Sequence, residues 1–144
     1  MSQYTELVNE ENPYTLHDIV TMASMIEKET DGDDYRTISS VLYNRLTNES
    51  AETAGFLQID ATLVYINGGR APTTADKAID SPYNTYLHKG LPAGPISNPG
   101  MRSLYAALDP ETTKYYFYAL NPETGRHEFS RTYDEHMNRL AGYK

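Results

Sequence analysis

Two glutamates, Glu27 and Glu29, stand at the end of an apolar run that has the pattern of a helix. A carboxyl group held against apolar side chains has its charged form disfavoured, so its pKa rises and it can stay protonated near neutral pH. Such an acid can donate a proton to a glycosidic oxygen, which is the step that breaks a bond between two sugars. Most carboxylates are solvated at the surface, so the pair alone leaves a plain surface role open.

The helix that carries these glutamates is predicted over residues 16–30. Thr15 and Asp18 form a capping-box pattern at its start. Apolar residues then recur at helical spacing, namely Leu16, Ile19, Val20, Ala23 and Ile26. At 100° per residue, the two glutamates fall on opposite borders of this apolar stripe. Periodicity therefore allows either one to reach a cleft and does not choose between them.

The remaining elements predict an α+β fold, with a helical N-terminal half and a small antiparallel sheet centred on a hairpin. Residues 31–34 break the first helix and are expected to cap the next. Further helices are predicted at about 35–47, 61–66, 74–79 and 101–108, and a last one ends near Gly142 after a capping box at 132–135. Strands are predicted at 114–120 and 127–130, joined by a turn at 121–125.

Residues 81–100 contain four prolines and three glycines, which forbid regular structure. A long loop inside a compact domain is usually functional or disordered. Its aromatic and aliphatic content favours an ordered binding loop packed over the core.

Composition narrows the function classes. The 144 residues predict one domain over 15–144, preceded by a flexible segment over 1–14. The net charge is −8 and the twelve lysines and arginines are scattered, which argues against nucleic acid and against an anionic membrane surface. Without cysteine there is no disulfide and no thiol nucleophile, and the four histidines lack metal-ligand spacing, so neither a metal nor a cofactor is expected. Thirteen tyrosines suit contact with sugar rings, and equally a half-buried strand surface.

Seven segments in order resemble the bacterial endolytic murein transglycosylase family, the YceG-like or MltG proteins. They are MASMIEKET (22–30), VLYNRL (41–46), LQID (57–60), SPYNTY (81–86), GLPAGPISNPG (90–100), YYFY (115–118) and HEFS (127–130). The resemblance covers about residues 16–140. Residues 48–55 form a longer connection than is usual in the family, and Ile59 stands where a small polar residue is common.

The resemblance implies an enzyme that cleaves peptidoglycan glycan strands internally, between N-acetylmuramic acid and N-acetylglucosamine, and leaves 1,6-anhydro-muramic acid ends. It places the catalytic acid on Glu29. Full-length members carry an N-terminal membrane anchor and a LysM-like region, so this sequence is expected to be the isolated catalytic domain. The parent protein is then expected at the extracytoplasmic face of the cytoplasmic membrane, without direct membrane contact by this domain. Cell-wall synthesis proteins are further candidate partners.

Supporting roles follow for residues around the acid. Met22, Met25 and Ile26 are expected to form the apolar wall that keeps Glu29 protonated, which is compatible with an ordinary core role. Glu27 is expected to be structural and paired with Arg45, and His127 to support the site from its strand. Six residues are expected to contact sugar: Gln58, Asp60, Tyr83, Asn84, Thr85 and Tyr86. Among them Asn84 is the favoured polar contact, while Asp60 fits a helix N-cap equally well.

Three alternatives remain. A hydrolytic muramidase would use Glu29 with a second carboxylate, such as that of Asp60, about 5–9.5 Å away. A non-catalytic glycan-binding module would keep the fold without forming a product. A cytosolic interaction domain is favoured only by the absence of a signal peptide pattern.

Overall fold

Helix α1, Leu16–Glu29, is the element against which three of the later helices pack. The computed structural model describes residues 13–30 and 32–143. The predicted capping box is confirmed, because the Thr15 hydroxyl accepts from the Asp18 amide and the Asp18 carboxylate accepts from the Thr15 amide, each at 3.1 Å. The inward face of α1 is almost completely buried, so this helix forms the middle of the core.

Four further α-helices and one 3₁₀ helix follow within the described residues. They are α2 (Tyr35–Thr47), α3 (Asp60–Ile66), the 3₁₀ helix (Thr74–Ala78), α4 (Met101–Leu108) and α5 (Tyr133–Gly142). α4 and α2 both pack against α1 and against each other. The predicted bounds of α2 and α4 are confirmed.

The predicted cap of α2 is wrong. Asp34 occupies the N-cap position, but its side chain makes no capping hydrogen bond. Its carboxylate instead accepts from the Thr30 hydroxyl and lies 2.8 Å from Nδ1 of His127. The rest of the predicted breaker includes residue 31, and the predicted flexible segment includes residues 1–12; these lie outside the described residues.

Strands β1 (Phe117–Leu120) and β2 (His127–Ser130) form the antiparallel hairpin, with Tyr118 opposite Phe129 and Leu120 opposite His127. The turn between them is closed by Gly125, whose φ of +70° suits glycine. β1 is shorter than predicted. The carbonyl groups of Tyr115 and Tyr116 accept from the side chains of Asn44 and Arg45 on α2, so the approach to the strand is bound to a helix.

Residue alternation gives the hairpin two different faces. Tyr118, Leu120, His127 and Phe129 share one face, which looks toward the end of α1. The other face packs against α5, where the ring of Phe117 stacks on His136 at 5.2 Å.

Residues 81–100 form the predicted ordered loop without helix or strand. The Ile96 amide donates to Oγ of Ser24 at 3.0 Å, and the Ser97 hydroxyl donates to the Ser24 carbonyl at 2.9 Å. The loop is therefore fastened along α1. The α+β fold predicted from the sequence is confirmed. Within the described residues, no helix combines the length and the apolar character needed to cross a membrane.

Candidate active site

Glu29 is the last residue of α1, and its carboxyl group faces the hairpin. The Tyr118 hydroxyl donates a hydrogen bond to Oε1 of Glu29. Strand alternation places Tyr118 on the hairpin face toward α1, while its neighbour Phe117 faces His136 on α5. One carboxyl oxygen is thereby held, and Oε2 has no hydrogen bond among residues 13–30 and 32–143.

Burial raises the pKa of Glu29 above its ordinary value of 4.5. The hydrogen bond from Tyr118 opposes that rise, the negative charge of Asp60 adds to it, and the positive charges of Arg45 and His127 oppose it. The position at the C-terminal end of a helix further disfavours a negative charge. Burial also raises the pKa of Tyr118 well above 10, so this phenol stays protonated and acts as a donor.

Glu27 has the opposite environment, although it lies only two residues away. Its Oε1 accepts from the Gly100 amide and from the Ser103 hydroxyl, both at 2.9 Å. These bonds lower the pKa of Glu27, with the Gly100 amide as the larger cause. Glu27 therefore holds the start of α4 as a carboxylate, and Glu29 is the glutamate suited to carry a proton.

The expected pairing of Glu27 with Arg45 is wrong. Arg45 is 6% exposed, and its guanidinium donates to the Tyr116 carbonyl at 2.7 Å and to the Leu57 carbonyl at 2.5 Å. It also lies over the rings of Phe117 and Tyr118, at 5.6 and 5.7 Å. Arg45 thus joins α2 to the hairpin and places a positive charge near Glu29.

Three clefts meet at Glu29. The hairpin cleft has a volume of about 670 Å³ and is lined by Asp33, Asp34, Arg126 and His127, among others. The α3 cleft has about 540 Å³ and the α5 cleft about 460 Å³. Glu29 lines all three, so a long substrate can extend from the carboxyl group in more than one direction.

The α5 cleft contains three residues that were expected to contact substrate: Gln58, Asp60 and Tyr86. Oδ1 of Asp60 accepts from the Tyr86 hydroxyl at 2.5 Å, while Ile59 occupies the N-cap position, so the N-cap alternative for Asp60 is wrong. Gln58 has a φ of +55°, which is uncommon for a residue with a side chain. Two hydrogen bonds hold its backbone in this conformation. The Gln58 amide donates to the Thr85 carbonyl at 3.2 Å, and the Ile59 amide donates to the Thr85 hydroxyl at 2.9 Å.

The other three expected contact residues do not line these clefts. Asn84 is 1% exposed, and its amide donates to the carbonyls of Lys77 and Ile79 and accepts from the Tyr86 amide. The Thr85 side chain is 1% exposed and bonds the Ile59 amide. Asn84 and Thr85 therefore shape the loop, which corrects the expectation that they face sugar. Tyr83 is half-buried and packs against the core, and its contact with sugar stays a prediction.

Met22, Met25 and Ile26 are 1% exposed or less and belong to the core cluster. Their expected role as the apolar wall of Glu29 stays a prediction. The His127 ring lies edge-on to the Tyr118 ring, with the centroids 5.5 Å apart, and its Nδ1 faces Asp34. His127 is therefore beside the carboxyl group, in the hairpin cleft.

Sequence reasoning missed Tyr118, Asp34 and His136. Tyr118 belongs to a recognised motif, and alternation along β1 puts it on the face of His127, but nothing in the pattern says that this face meets α1. His136 lines the α5 cleft, and its Nδ1 is buried without a hydrogen bond among the described residues. In the part of the chain that the structure describes, no group of three or more His, Asp or Glu side chains could hold a metal ion.

Comparison with known proteins shows which family the chain resembles. The sequence model of the YceG-like family matches residues 1–141. A protein of Bacillus subtilis (strain 168) named endolytic murein transglycosylase is 41% identical over 135 residues, covering 92% of this chain and 36% of that protein. A protein of the same name from Streptococcus pneumoniae serotype 2 (strain D39 / NCTC 7466) is 26% identical over 149 residues, covering 98% of this chain and 26% of its own length.

A crystal structure of a yceG-like protein from Listeria monocytogenes superposes with a TM-score of 0.86 at 42% identity. The superposition covers 96% of this chain and 44% of the Listeria protein. The chain thus spans between about a quarter and under half of the proteins it matches. On the family match and these relatives together, the chain belongs to the YceG-like family.

Proposed function

We propose that this chain is a lytic transglycosylase domain that cleaves peptidoglycan glycan strands internally, with Glu29 as general acid and then general base. The observation that carries the proposal is the Glu29 carboxyl group, which has a raised pKa, has one oxygen held by Tyr118 and stands where three clefts meet. Relatives named endolytic murein transglycosylase support the substrate class.

The chemistry needs one carboxyl group. Glu29 in its neutral form protonates the glycosidic oxygen between N-acetylmuramic acid and N-acetylglucosamine, and the bond to C1 breaks as an oxocarbenium-like centre develops. The carboxylate then takes the proton from the C6 hydroxyl of the same muramic acid, whose oxygen closes on C1. Glu29 ends protonated as it began, and the product carries a 1,6-anhydro ring. Since Tyr118 occupies Oε1, Oε2 is the oxygen that transfers the proton in both steps.

The environment of Glu29 serves both halves of this cycle. Burial keeps the acid protonated before the reaction, and the Tyr118 hydrogen bond stabilises the carboxylate that forms during it. A general acid and base of this kind contributes about 10²–10⁴-fold to the rate.

A hydrolytic muramidase is the second candidate, because Asp60 lines the α5 cleft together with Glu29. The negative charge of Asp60 adds to the rise in the pKa of Glu29. Asp60 would have to activate a water molecule, and its carboxylate already accepts from Tyr86.

The test is digestion of purified glycan strands by this chain, by Glu29→Gln and by Asp60→Asn, with products weighed by mass spectrometry. We expect anhydro-ended fragments from the unchanged chain and from Asp60→Asn, and none from Glu29→Gln. Reducing-end fragments, heavier by one water, that disappear with Asp60→Asn would instead establish hydrolysis. Binding without any product would leave a glycan-binding module.

The proposed activity also assigns a location. A murein-cleaving domain acts on the cell wall, so we place residues 15–144 on the extracytoplasmic side of the bacterial cytoplasmic membrane. Cell-wall synthesis proteins are the proposed further partners.

A further inference from the structure

Helix α3 presents an apolar stripe that is partly exposed. Ala61, Val64, Tyr65 and Gly68 follow the spacing i, i+3, i+4, i+7, which puts them on one side of the helix and the turn after it. The opposite side, with Thr62 and Leu63, is fully buried. Tyr65 is 48% exposed, although it is one of the larger apolar side chains of the molecule. A short helix that buries one side and exposes an aromatic ring on the other suits a binding surface.

The stripe is one wall of the α3 cleft, which Glu29, Lys28 and Ile96 complete. Gly68 and Gly69 have φ values of +83° and +101°, and a Cβ built on either would meet no atom within 4 Å. The floor at these glycines is therefore open. The cavity volume of about 540 Å³ lies in the range of small-molecule sites, about 300–1,000 Å³.

A second aromatic ring supports the Tyr65 ring on one side. The Tyr83 ring contacts it with centroids 4.9 Å apart at an angle of 45°. Tyr83 is half-buried, so one side of the Tyr65 ring is supported and the rest remains available. A supported aromatic ring loses little conformational entropy when a ligand packs on it.

We propose that Tyr65 is a sugar platform: it packs against the apolar C–H face of an N-acetylhexosamine of the glycan strand, in a subsite next to the reacting one. This inference rests on the proposed function and adds the position of one subsite. We choose the glycan strand as the ligand because Glu29 also lines this cleft. A glycan strand that passes the Glu29 carboxyl group must continue along an adjoining cleft. Lys28 and Glu29 are the only charged residues lining this cleft in the described parts of the chain, which suits an apolar sugar face.

Tyr65 and Asp60 lie on the same helix but line different clefts. Tyr65 is five residues beyond Asp60, about one and a half helical turns along α3. Asp60 lines the α5 cleft and Tyr65 the α3 cleft, and Glu29 lines both. Tyr65 therefore meets a neighbour of the reacting sugar, and its loss weakens binding more than it changes the chemical step.

The test compares Tyr65→Ala, Tyr65→Phe and Tyr105→Ala on peptide-free glycan oligomers. Tyr105 is the matched control, since it is also 48% exposed but lies on α4, away from the clefts that Glu29 lines. For Tyr65→Ala we expect about a tenfold rise in KM with kcat changed much less. Tyr65→Phe keeps the ring and should raise KM less than Tyr65→Ala does, while Tyr105→Ala should stay near the unchanged chain. Thermal unfolding of each variant checks that the fold is intact.

Direct binding separates this inference from the proposed function. The dissociation constant of a tetrasaccharide of alternating N-acetylglucosamine and N-acetylmuramic acid is measured by NMR titration on Glu29→Gln with and without Tyr65→Ala. Weaker binding on losing the ring supports the platform, even if the unchanged chain forms no product. Cleavage by the unchanged chain together with an unaltered KM and dissociation constant for Tyr65→Ala overturns the platform and leaves the function standing. Absence of both binding and cleavage overturns both.

Discussion

The hydrogen bond from Tyr118 to Glu29 links a strand side chain to the proton-carrying group at the end of a helix. It divides the carboxyl group into a held oxygen and an available one, and it favours the ionised form. Tyr118 makes no contact with the reacting atoms in the proposed mechanism, so it is a positioning residue. Its effect should appear in how the rate depends on pH as well as in the rate itself.

Replacing Tyr118 by Phe should raise the pKa of Glu29 further, because the bond that opposes the rise is removed while burial remains. The proposed reaction needs protonated Glu29, so activity is present below this pKa and is lost above it. The alkaline limb of kcat/KM should therefore move to higher pH in Tyr118→Phe, while the maximum falls roughly tenfold through lost orientation. Rate measurements on glycan oligomers across pH test both effects.

Tyr115→Phe is the matched control for that profile. Tyr115 precedes the same strand, and its ring stacks on Phe129 with centroids 5.4 Å apart. Its hydroxyl makes no hydrogen bond within the described part of the chain, so removing it should leave the limb in place. An alkaline limb for Tyr118→Phe that stays put or moves to lower pH would contradict the positioning role.

At the scale of elements, the loop over residues 81–100 is shaped by hydrogen bonds of a buried side chain, that of Asn84. The buried amide of Asn84 bonds two carbonyls and one amide, so the loop does not depend on a helix or strand ladder for its shape. Further along the loop, the Ile96 amide donates to Ser24 on α1. At the end of the loop, just before α4, the Gly100 amide donates to Glu27. The loop thus places Tyr86 and Ile96 beside the clefts, while the side chains of Asn84 and Thr85 face inward.

Asn84→Ala should therefore affect stability rather than sugar recognition. The substitution leaves the Lys77 and Ile79 carbonyls and the Tyr86 amide without the partner they have now. Unpaired buried groups cost about 1–3 kcal/mol each, so we expect the free energy of unfolding to fall by at least about 2 kcal/mol. Urea unfolding measures this loss, and Asn98→Ala at an exposed position of the same loop is the control. A raised KM with unchanged unfolding would return Asn84 to the role of a sugar contact.

The same loop shows how far the sequence reaches. Hydrophobic periodicity and caps predict α1, α2, α4 and the hairpin, because those signals are local. The family resemblance selects Glu29, and its motifs contain Gln58, Asp60 and Tyr86; the structure brings all four to the clefts. Local pattern does not report which polar side chains of a loop turn inward, and so Asn84 and Thr85 were expected to face substrate. The partner of Arg45 was missed for the same reason, because its carbonyl acceptors come from distant segments.

At the scale of the whole molecule, a net charge of −8 makes each further buried negative charge unfavourable. Glu27 and Glu29 are separated by one residue, but their pKa values shift in opposite directions. Glu27 remains ionised because two donors of α4 surround it, and Glu29 favours the neutral form because it is enclosed. The two glutamates have the same ordinary pKa in the unfolded chain. Each shift in the folded state therefore makes the free energy of unfolding depend on pH.

Glu27→Gln and Glu29→Gln should therefore change stability with opposite dependence on pH. The lowered pKa of Glu27 contributes stability that is present above its ordinary value of 4.5 and is lost as the pH falls through the folded-state pKa. Glu27→Gln should be less stable than the unchanged chain near neutral pH, with the gap closing in acid. The raised pKa of Glu29 contributes stability that is present below 4.5 and is lost as the pH rises through the folded-state pKa.

Glu29→Gln mimics the neutral form, so it should match the unchanged chain in acid and become the more stable of the two as the pH rises. Urea unfolding of the three proteins between about pH 4 and about pH 8 gives both differences. The same pair of variants also compares function with stability: Glu29→Gln should lose all product formation while gaining stability at neutral pH, as expected for an acid held in a site that disfavours its charge. A Glu29→Gln protein that is less stable than the unchanged chain at every pH would show that the carboxylate is satisfied in the fold. The proposed proton donor would then have to be sought elsewhere.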